Sequence, residues 1–494
     1  MGIDLQLLQD NKGGDIAGVI ASQKKRNAPA ELVEDVLAQY KEWVKTSFQE
    51  QQLKKQVNAL QKEIGAKMKV TRRSLRLTLL PRAADEAILR PVRSSQAKEN
   101  ADELKAQKAE LDKEIASIGA KAVEQETAMR KKAGSIGNIV HESVPVSETE
   151  DDNKVERTFF PKDPNGDSAP PVKGAGLHMK EGVLSHHEVM HRLDILEMER
   201  GTKVAGHRGF YLTGDGVDLN QAMISYGLDF LRTKGFKKVQ PPFFMNKAMM
   251  GKTAQLEEFD EALYKLEGSN EDTEKYLIAT SEQPISALHA DEWFDQPNEQ
   301  LPVKYAGYST CFRKEAGSSG RDVLGIFRVH QFEKVEQFCI TDPSSSWEMF
   351  DHMIANSEAF YQSLGLPYQL ISIVSGALNN AAAKKYDLEA WFPHQGEYKE
   401  LVSVSNCTDY QSRALEIRCG VKKQGDSKKV YVHMLNGTLC ATERALCCIV
   451  ENYQTPEGVI IPEPLRPYMQ GREFLPYVRE LPTTNAKKDS KKKH

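Results

Sequence analysis

No run of 18 or more apolar residues occurs in this 494-residue chain, which leaves no segment fit to cross a membrane as a helix. The N-terminus, Met1-Gly2-Ile3-Asp4, lacks a basic patch followed by an apolar stretch, so a soluble, unsecreted protein is expected. Cysteine is scarce: the seven residues form an odd set with no CxxC pair. That excludes a disulfide framework and a cysteine-rich zinc site, and reduced thiols in the cytosol are the simplest account. No internal repeat and no phosphate-binding P-loop is found. Net charge is only −4, too little for indiscriminate binding to nucleic acid. It hides an asymmetry, since residues 1–130 carry roughly +4 and the remainder roughly −8. RNA contacts are therefore expected in the N-terminal part.

The chain is too long for one core of ordinary size, and its 40% hydrophobic residues suffice to fill two. Residues from about 30 to 69 and from about 97 to 132 are charged and poor in glycine. Within them Leu53, Val57, Leu60 and Ile64, and Leu111, Ile115, Ile118 and Ala122, step by three and four. A narrow helical seam of this kind predicts an antiparallel coiled-coil hairpin over residues 1–132. Lys41, Lys45, Lys54, Lys55, Lys62, Lys105, Lys108 and Lys113 fall mostly outside the seam, as a solvated surface or as an RNA grip. Residues 70–96 break the pattern with six arginines and two prolines, Pro81 and Pro91, and are expected to be an insert at the arm tip. An RNA-binding loop and a translated intron both fit it.

From 133 to 180 the composition turns to Gly, Pro, Ser and acidic residues, which predicts a linker. Over 181–480 strand-like and helix-like runs alternate without a βαβ rhythm. An α+β domain, an antiparallel sheet flanked by helices, follows. Residues 481–494 form a lysine-rich tail, read as a solvated end, a tRNA contact or a nuclear signal.

The segment richest in chemistry runs from Phe312-Arg313-Lys314-Glu315-Ala316-Gly317 to Arg328-Val329-His330-Gln331-Phe332-Glu333-Lys334-Val335-Glu336. It reads as two strands joined by a turn at Gly317–Asp322. Arginine forks suit phosphate and carboxylate oxygens, an aromatic face suits a purine, and carboxylates accept from an amine or an ammonium. ATP and a small zwitterion are the ligands this set predicts. A surface hairpin with ordinary salt bridges is the plain alternative for either half alone.

This segment resembles motif 2 of the class II aminoacyl-tRNA synthetases, in the form typical of seryl-tRNA synthetases. Val204–Leu212, with a helix from Leu219 to Lys234, looks like motif 1, which in class II enzymes forms a homodimer interface; packing within one subunit is the alternative. Thr280-Ser281-Glu282 matches the TxE loop that holds the amino group of the amino acid. Leu435-Asn436-Gly437-Thr438 with Ala441-Thr442-Glu443-Arg444 matches motif 3. The likeness spans nearly the whole chain and implies serine–tRNA ligation. L-serine and ATP give seryl-adenylate and pyrophosphate, and serine then passes to the 3′ end of tRNA(Ser), and of tRNA(Sec) where one exists.

By the same resemblance, Arg313 bridges the α-phosphate and the serine carboxylate, Glu315 meets the adenine edge, Phe332 stacks on its face, and Arg328 and Arg444 face the β- and γ-phosphates. Lys314, Val329, His330, Gln331, Leu401 and Val402 belong to the implied ATP site, while Glu400 and Ser403 approach the ribose and a phosphate-bound Mg²⁺. Arg313, Glu336 and Arg444 are the implied catalytic set. Serine is selected by Glu336 with Asn436 and Thr438, and its ammonium by Thr280, Ser281 and Glu282. The arm lysines are implied to grip the long variable arm of the tRNA through shape and backbone. Val323-Leu324 departs from the Thr-Arg common in the family, in the loop that meets the tRNA acceptor end.

Two rivals stand beside this reading. His187-Glu188-Val189-Met190-His191 spells HExxH, a zinc-protease pattern, but no third ligand is indicated. A synthetase-like paralogue that binds tRNA or protein without catalysis would commonly lose motif arginines, and Arg313, Arg328 and Arg444 are all present.

Overall fold

The computed structural model describes residues 2–9, 13–77, 84–162, 166, 168–253, 262–268, 273–315, 324–421 and 429–482, with only the backbone for 70–77 and 84–100. Two compact units result, one made of residues 29–135 and one of residues 1–28 with 136–494.

The smaller unit is a helical hairpin. Helix α1, Ile16–Lys25, belongs to the other unit; α2, Glu31–Leu77, and α3, Ala84–Ala133, make the arm. Leu53, Val57, Leu60, Leu111, Ile115 and Ile118 are half-buried, while Ile64 and Ala122 are buried, as a two-helix seam requires. The helices run antiparallel: Lys132 near the end of α3 pairs with Asp35 near the start of α2, and Glu50 lies against Gly119. Of the expected tip insert, residues 70–77 and 84–96 are helical, so Pro91 does not break a helix as expected. The helices continue through most of this segment, and Pro91 sits inside α3. One interior proline costs roughly 3 kcal/mol, which a helix of 50 residues can absorb. Pro81 lies outside the described residues, as do Val323, the Gly317–Asp322 turn and the tail beyond 482.

The larger unit is built on an eight-stranded sheet: β1 Lys154–Phe159, β2 Lys237–Val239, β3 Val303–Phe312, β4 Gln331–Thr341, β5 Tyr368–Ser372, β6 Lys384–Phe392, β7 Glu397–Asn406 and β8 His433–Ala441. Their order is β1-β5-β6-β7-β8-β4-β3-β2, antiparallel throughout except for the parallel pair β2/β3. Further helices are α4 His186–Arg192, α5 Asp215–Thr233, α6 Glu282–Ser286, α7 Ser346–Ser363, α8 Tyr410–Leu415 and α9 Thr442–Asn452. Strand alternation explains the layers. Val335, Cys339, Leu435 and Leu439 face one way and pack with Leu219 and Met223 of α5, Phe350, Met353 and Ile354 of α7, and Leu446 and Val450 of α9. Glu333 and Gln337 lie on this face too, bonded to Asn220 of α5 and to Met353 and Ser357 of α7, while Lys334, Glu336, Asn436 and Thr438 face the other way.

Of residues 133–180, expected as a linker, the part up to Phe159 packs onto the larger unit. Ile136 is buried, and Val140 and Val144 pack into a small core with Ile371 and Ile373. Lys154–Phe159 supplies an edge strand. The first 28 residues likewise leave the arm, because Arg26 is buried and donates to the carbonyls of Asn138, Leu378, Asn379 and Ala382. The motif 1 helix starts at Asp215, four residues before the expected Leu219.

Removing that guanidinium strands several buried carbonyls. Arg26→Ala is expected to lower the stability of this unit by about 2–4 kcal/mol, read as a lower melting temperature with the arm's helical signal retained.

Candidate active site

Two β-bulges set the polar face. Along β4 and β8 the register slips between Val335, opposite Cys440, and Glu336, opposite Thr438. The extra residue, Leu439, lets Lys334, Glu336 and Phe338 share one face with Ala441, Thr438 and Asn436. A second slip pairs Leu388 with Val402 and Glu389 with Glu400, leaving Leu401 as the extra residue. Simple alternation would put Glu400 and Ser403 on opposite faces of β7; the bulge brings both beside Glu389 and Asp387.

The hairpin expected at motif 2 is present but shifted. Its strands are β3 and β4, and residues 313–330 connect them, with the Arg313 amide still donating to the His330 carbonyl at 2.9 Å. The Arg313 guanidinium lies 5.1 Å from the centre of the Phe332 ring. Arg328 pairs with Glu315 at 3.2 Å, and Arg208 approaches the same carboxylate at 3.9 Å. Arg444, in the first turn of α9, sits 4.8 Å above the Phe327 ring and reaches the Glu400 carbonyl at 3.1 Å and its carboxylate at 3.4 Å.

One pocket is lined by Arg313, Glu315, Arg328, Val329, Phe332, Glu400, Leu401, Thr438 and Arg444, so most of the expected nucleotide residues converge. Ile326, Phe327, Lys334, Ala441 and Glu443 complete it. Lys314, Val402, Ser403, His330 and Gln331 are not in its lining. Val402 faces the core, and His330 and Gln331 line a separate cavity of about 400 Å³ with Arg208, Tyr264 and Glu333; alternation from Phe332 turns Gln331 and Glu333 that way, and His330 lies just before the strand.

Beneath the pocket lies a buried polar network. Glu336, 2% exposed, accepts on Oε2 from Thr280 Oγ1 at 2.8 Å, Ser281 Oγ at 2.6 Å and the Glu282 amide at 3.0 Å. Lys334 Nζ donates to Glu336 Oε1 at 2.8 Å and to Thr280 Oγ1 at 2.6 Å. Burial alone would raise the Glu336 pKa; the Lys334 ammonium and the two hydroxyls outweigh it and hold the carboxyl below its ordinary value. The hydroxyls of Thr280 and Ser281 are thus spent on Glu336. Of this trio, Glu282 is the acceptor suited to an ammonium, and its Oε1 is fixed by Gln411 at 2.6 Å and Asn436 at 2.9 Å.

The loop can lie this close because β3 carries Gly307 opposite Glu336. A Cβ there would stand 2.5 Å from Ile285 Cδ1 and 2.9 Å from Ser281 Oγ.

Sequence reasoning gave no role to Lys334, Gln411, Gly307 or Asp387. Asp387 pairs across the sheet with Ser403, and its Oδ1 is buried without a hydrogen-bond partner. Burial, with the Glu400 charge nearby, pushes its carboxyl up to about 7 against the opposing pull of Lys385. Alternation alone puts Lys334 on the face of Glu336, two residues along β4; what it does not show is that the two side chains pair and are buried together.

The HExxH pattern has a structural use. Glu188 Oε2 accepts from the amide and hydroxyl of Ser185 at 3.0 and 2.7 Å, a capping box at the start of α4. Among the described residues no group of three or more His, Cys, Asp or Glu side chains is arranged to hold a metal. The eight arm lysines lie on α2 and α3; Lys54, Lys105 and Lys108 pair with Glu50, Asp102 and Asp112 on their own helices, and all but the half-buried Lys108 are exposed.

Gly307→Ala is expected to push the Thr280–Glu282 loop off the sheet and to cut serine-dependent ATP–pyrophosphate exchange at least about tenfold. The circular dichroism spectrum should be unchanged.

Comparison with known proteins agrees with this geometry. Residues 264–453 match the tRNA synthetase class II core domain (G, H, P, S and T), and residues 3–78 match the seryl-tRNA synthetase N-terminal domain. The chain is 54% identical to the cytoplasmic serine–tRNA ligase of Schizosaccharomyces pombe, over 99% of this chain and 100% of that one. It is 52% identical to the cytoplasmic enzyme of Saccharomyces cerevisiae over the full length of both. A crystal structure of the cytoplasmic serine–tRNA ligase from Naegleria fowleri in complex with AMP matches with a TM-score of 0.79 at 44% identity, covering 97% of this chain and 100% of that one. The seryl-tRNA synthetase from Pyrococcus horikoshii complexed with ATP matches with a TM-score of 0.78 at 34% identity and the same coverage. A polar sheet face built by two bulges and full-length kinship at this level lead to one assignment: the chain belongs to the seryl-tRNA synthetase family of class II aminoacyl-tRNA synthetases.

Proposed function

We propose that this protein is a serine–tRNA ligase that works in the cytoplasm, where its relatives are named as acting. It activates L-serine with ATP and passes the acyl group to tRNA(Ser), and to tRNA(Sec) where one exists. The observation that carries the reading is the convergence of Arg313, Arg328 and Arg444 on one pocket directly above Glu336.

Phosphoryl chemistry of this type asks for positioning and charge stabilisation more than for covalent participation. Arg313 bridges the serine carboxylate and the α-phosphate, so that a carboxylate oxygen attacks phosphorus in line and pyrophosphate leaves. Its position over Phe332 supports this role, because the ring and the Nε–H donated to the Ala279 carbonyl hold the guanidinium in one orientation. Adenine lies on the Phe332 ring with its edge at Glu315, and Arg328 and Arg444 face the β- and γ-phosphates. Glu282 receives the ammonium and Glu336 the hydroxyl.

The donor set also fits Mg²⁺, which needs only one or two carboxylates beside substrate phosphates. Glu400 and Ser403 would hold it, and the unpartnered Oδ1 of Asp387 beside Ser403 suits a hard cation. Bound there, the ion would neutralise phosphate charge.

The arm of residues 29–135 grips tRNA through lysines such as Lys41, Lys45, Lys55 and Lys62, which are exposed. Homodimer formation uses the motif 1 surface, where Val204, Tyr211 and Val217 are 71%, 45% and 44% exposed. No observation favours a non-catalytic paralogue.

Exchange with serine, and not with alanine or threonine, lost on adding EDTA, is the expected behaviour. Arg313→Ala should lower it by a factor of at least about 10² with the melting temperature unchanged; retained exchange would refute the assigned role. Deleting residues 29–135 should spare exchange and abolish tRNA charging, so charging that survives would remove the arm as the grip.

A further inference from the structure

The acceptor that recognises serine's hydroxyl is already crowded. Glu336 Oε2 takes three donors, from Thr280, Ser281 and the Glu282 amide, and has no room for a fourth. Oε1 takes one donor, from Lys334, and keeps one acceptor position. Lys334 has three N–H donors and two described hydrogen bonds, to Glu336 and to Thr280. Its third donor is left for the pocket that it lines together with Arg313 and Thr438. With side chains only 7% and 3% exposed, Lys334 and Glu336 form a buried pair with little water to compete.

We propose that Lys334 is a specificity-determining residue of the amino-acid site: the Lys334 ammonium and Glu336 Oε1 together form the donor and acceptor that read a hydroxyl. A hydroxyl both donates and accepts, and so satisfies both. The methyl of alanine satisfies neither and leaves one buried N–H donor of Lys334 and one acceptor position of Glu336 Oε1 without a partner, the situation in which a site rejects an analogue most strongly. A thiol, a weak donor and a weak acceptor, falls between them. Lys334 also forces the geometry, since by drawing Thr280 Oγ1 it keeps the TxE hydroxyl on Oε2 and off the substrate's acceptor.

The inference rests on the serine-activation reading, and the test separates the two. ATP–pyrophosphate exchange is measured for the intact protein and for Lys334→Met, with serine, cysteine and alanine. The expected result is a fall of about 100-fold or more in kcat/KM for serine, a change of less than about threefold for alanine, and a KM for ATP within about twofold of the unaltered protein. Lys334→Arg keeps a cation against Glu336 while displacing the ammonium donor, and it gives the reading should Lys334→Met not fold: the preference for serine over alanine is expected to fall at least about tenfold. Equal losses for serine and alanine, or a Lys334→Arg protein that keeps the original preference, would overturn the inference alone. Absence of serine-dependent exchange in the unaltered protein would overturn the functional reading and this inference with it.

Discussion

Everything the site does depends on the register of two strand pairs. β8 carries one residue more than β4 needs, and β7 one more than β6, and at each slip a residue that would point into the core is turned toward the pocket. The bulge at Leu439 puts Thr438 opposite Glu336, and the one at Leu401 puts Glu400 and Ser403 on one side. The opposite face is mostly apolar and is sealed by α5, α7 and α9, which also satisfy its polar residues Glu333 and Gln337. A rigid sheet with one dry face and one charged face holds substrates better than loops would, because the charged side chains inherit the order of the core behind them.

Charge on the working face is kept stable by pairing. Lys334 with Glu336, Arg328 with Glu315 and Arg444 with Glu400 are each opposed within 3.4 Å before any substrate arrives. Charges left single in such a pocket would be costly, most of all for the buried Lys334–Glu336 pair. The pocket therefore offers fixed cations and fixed carboxylates together, the arrangement that the proposed zwitterion and polyphosphate require, and little has to be reoriented when charge develops.

Much of this was legible in the residues. The helical seam of the arm, with Ile64 and Ala122 buried, follows from periodicity, and Arg313, Phe332 and Glu336 are set within one hairpin by alternation. What could not be read was whatever needs register or length. Simple alternation would put Glu400 and Ser403 on opposite faces, and only the slip at Leu401 brings them together. His330 and Gln331 are neighbours of Phe332 in sequence but line another cavity, since Gln331 lies one step off its face and His330 lies just before the strand. Pro91 in α3 shows the other kind of difference, in which a long helix overrides one poor residue. Residues 136–180 have a linker's composition, yet Ile136, Val140 and Val144 suffice to fix their first part to the core.

The most direct test is a crystal structure with a non-hydrolysable seryl-adenylate analogue. The account predicts the adenine on Phe332, the phosphate at Arg313 and the serine hydroxyl at Oε1 of Glu336. An analogue bound instead in the cavity of His330, Gln331 and Arg208, or one whose hydroxyl makes no contact with Glu336, would contradict it.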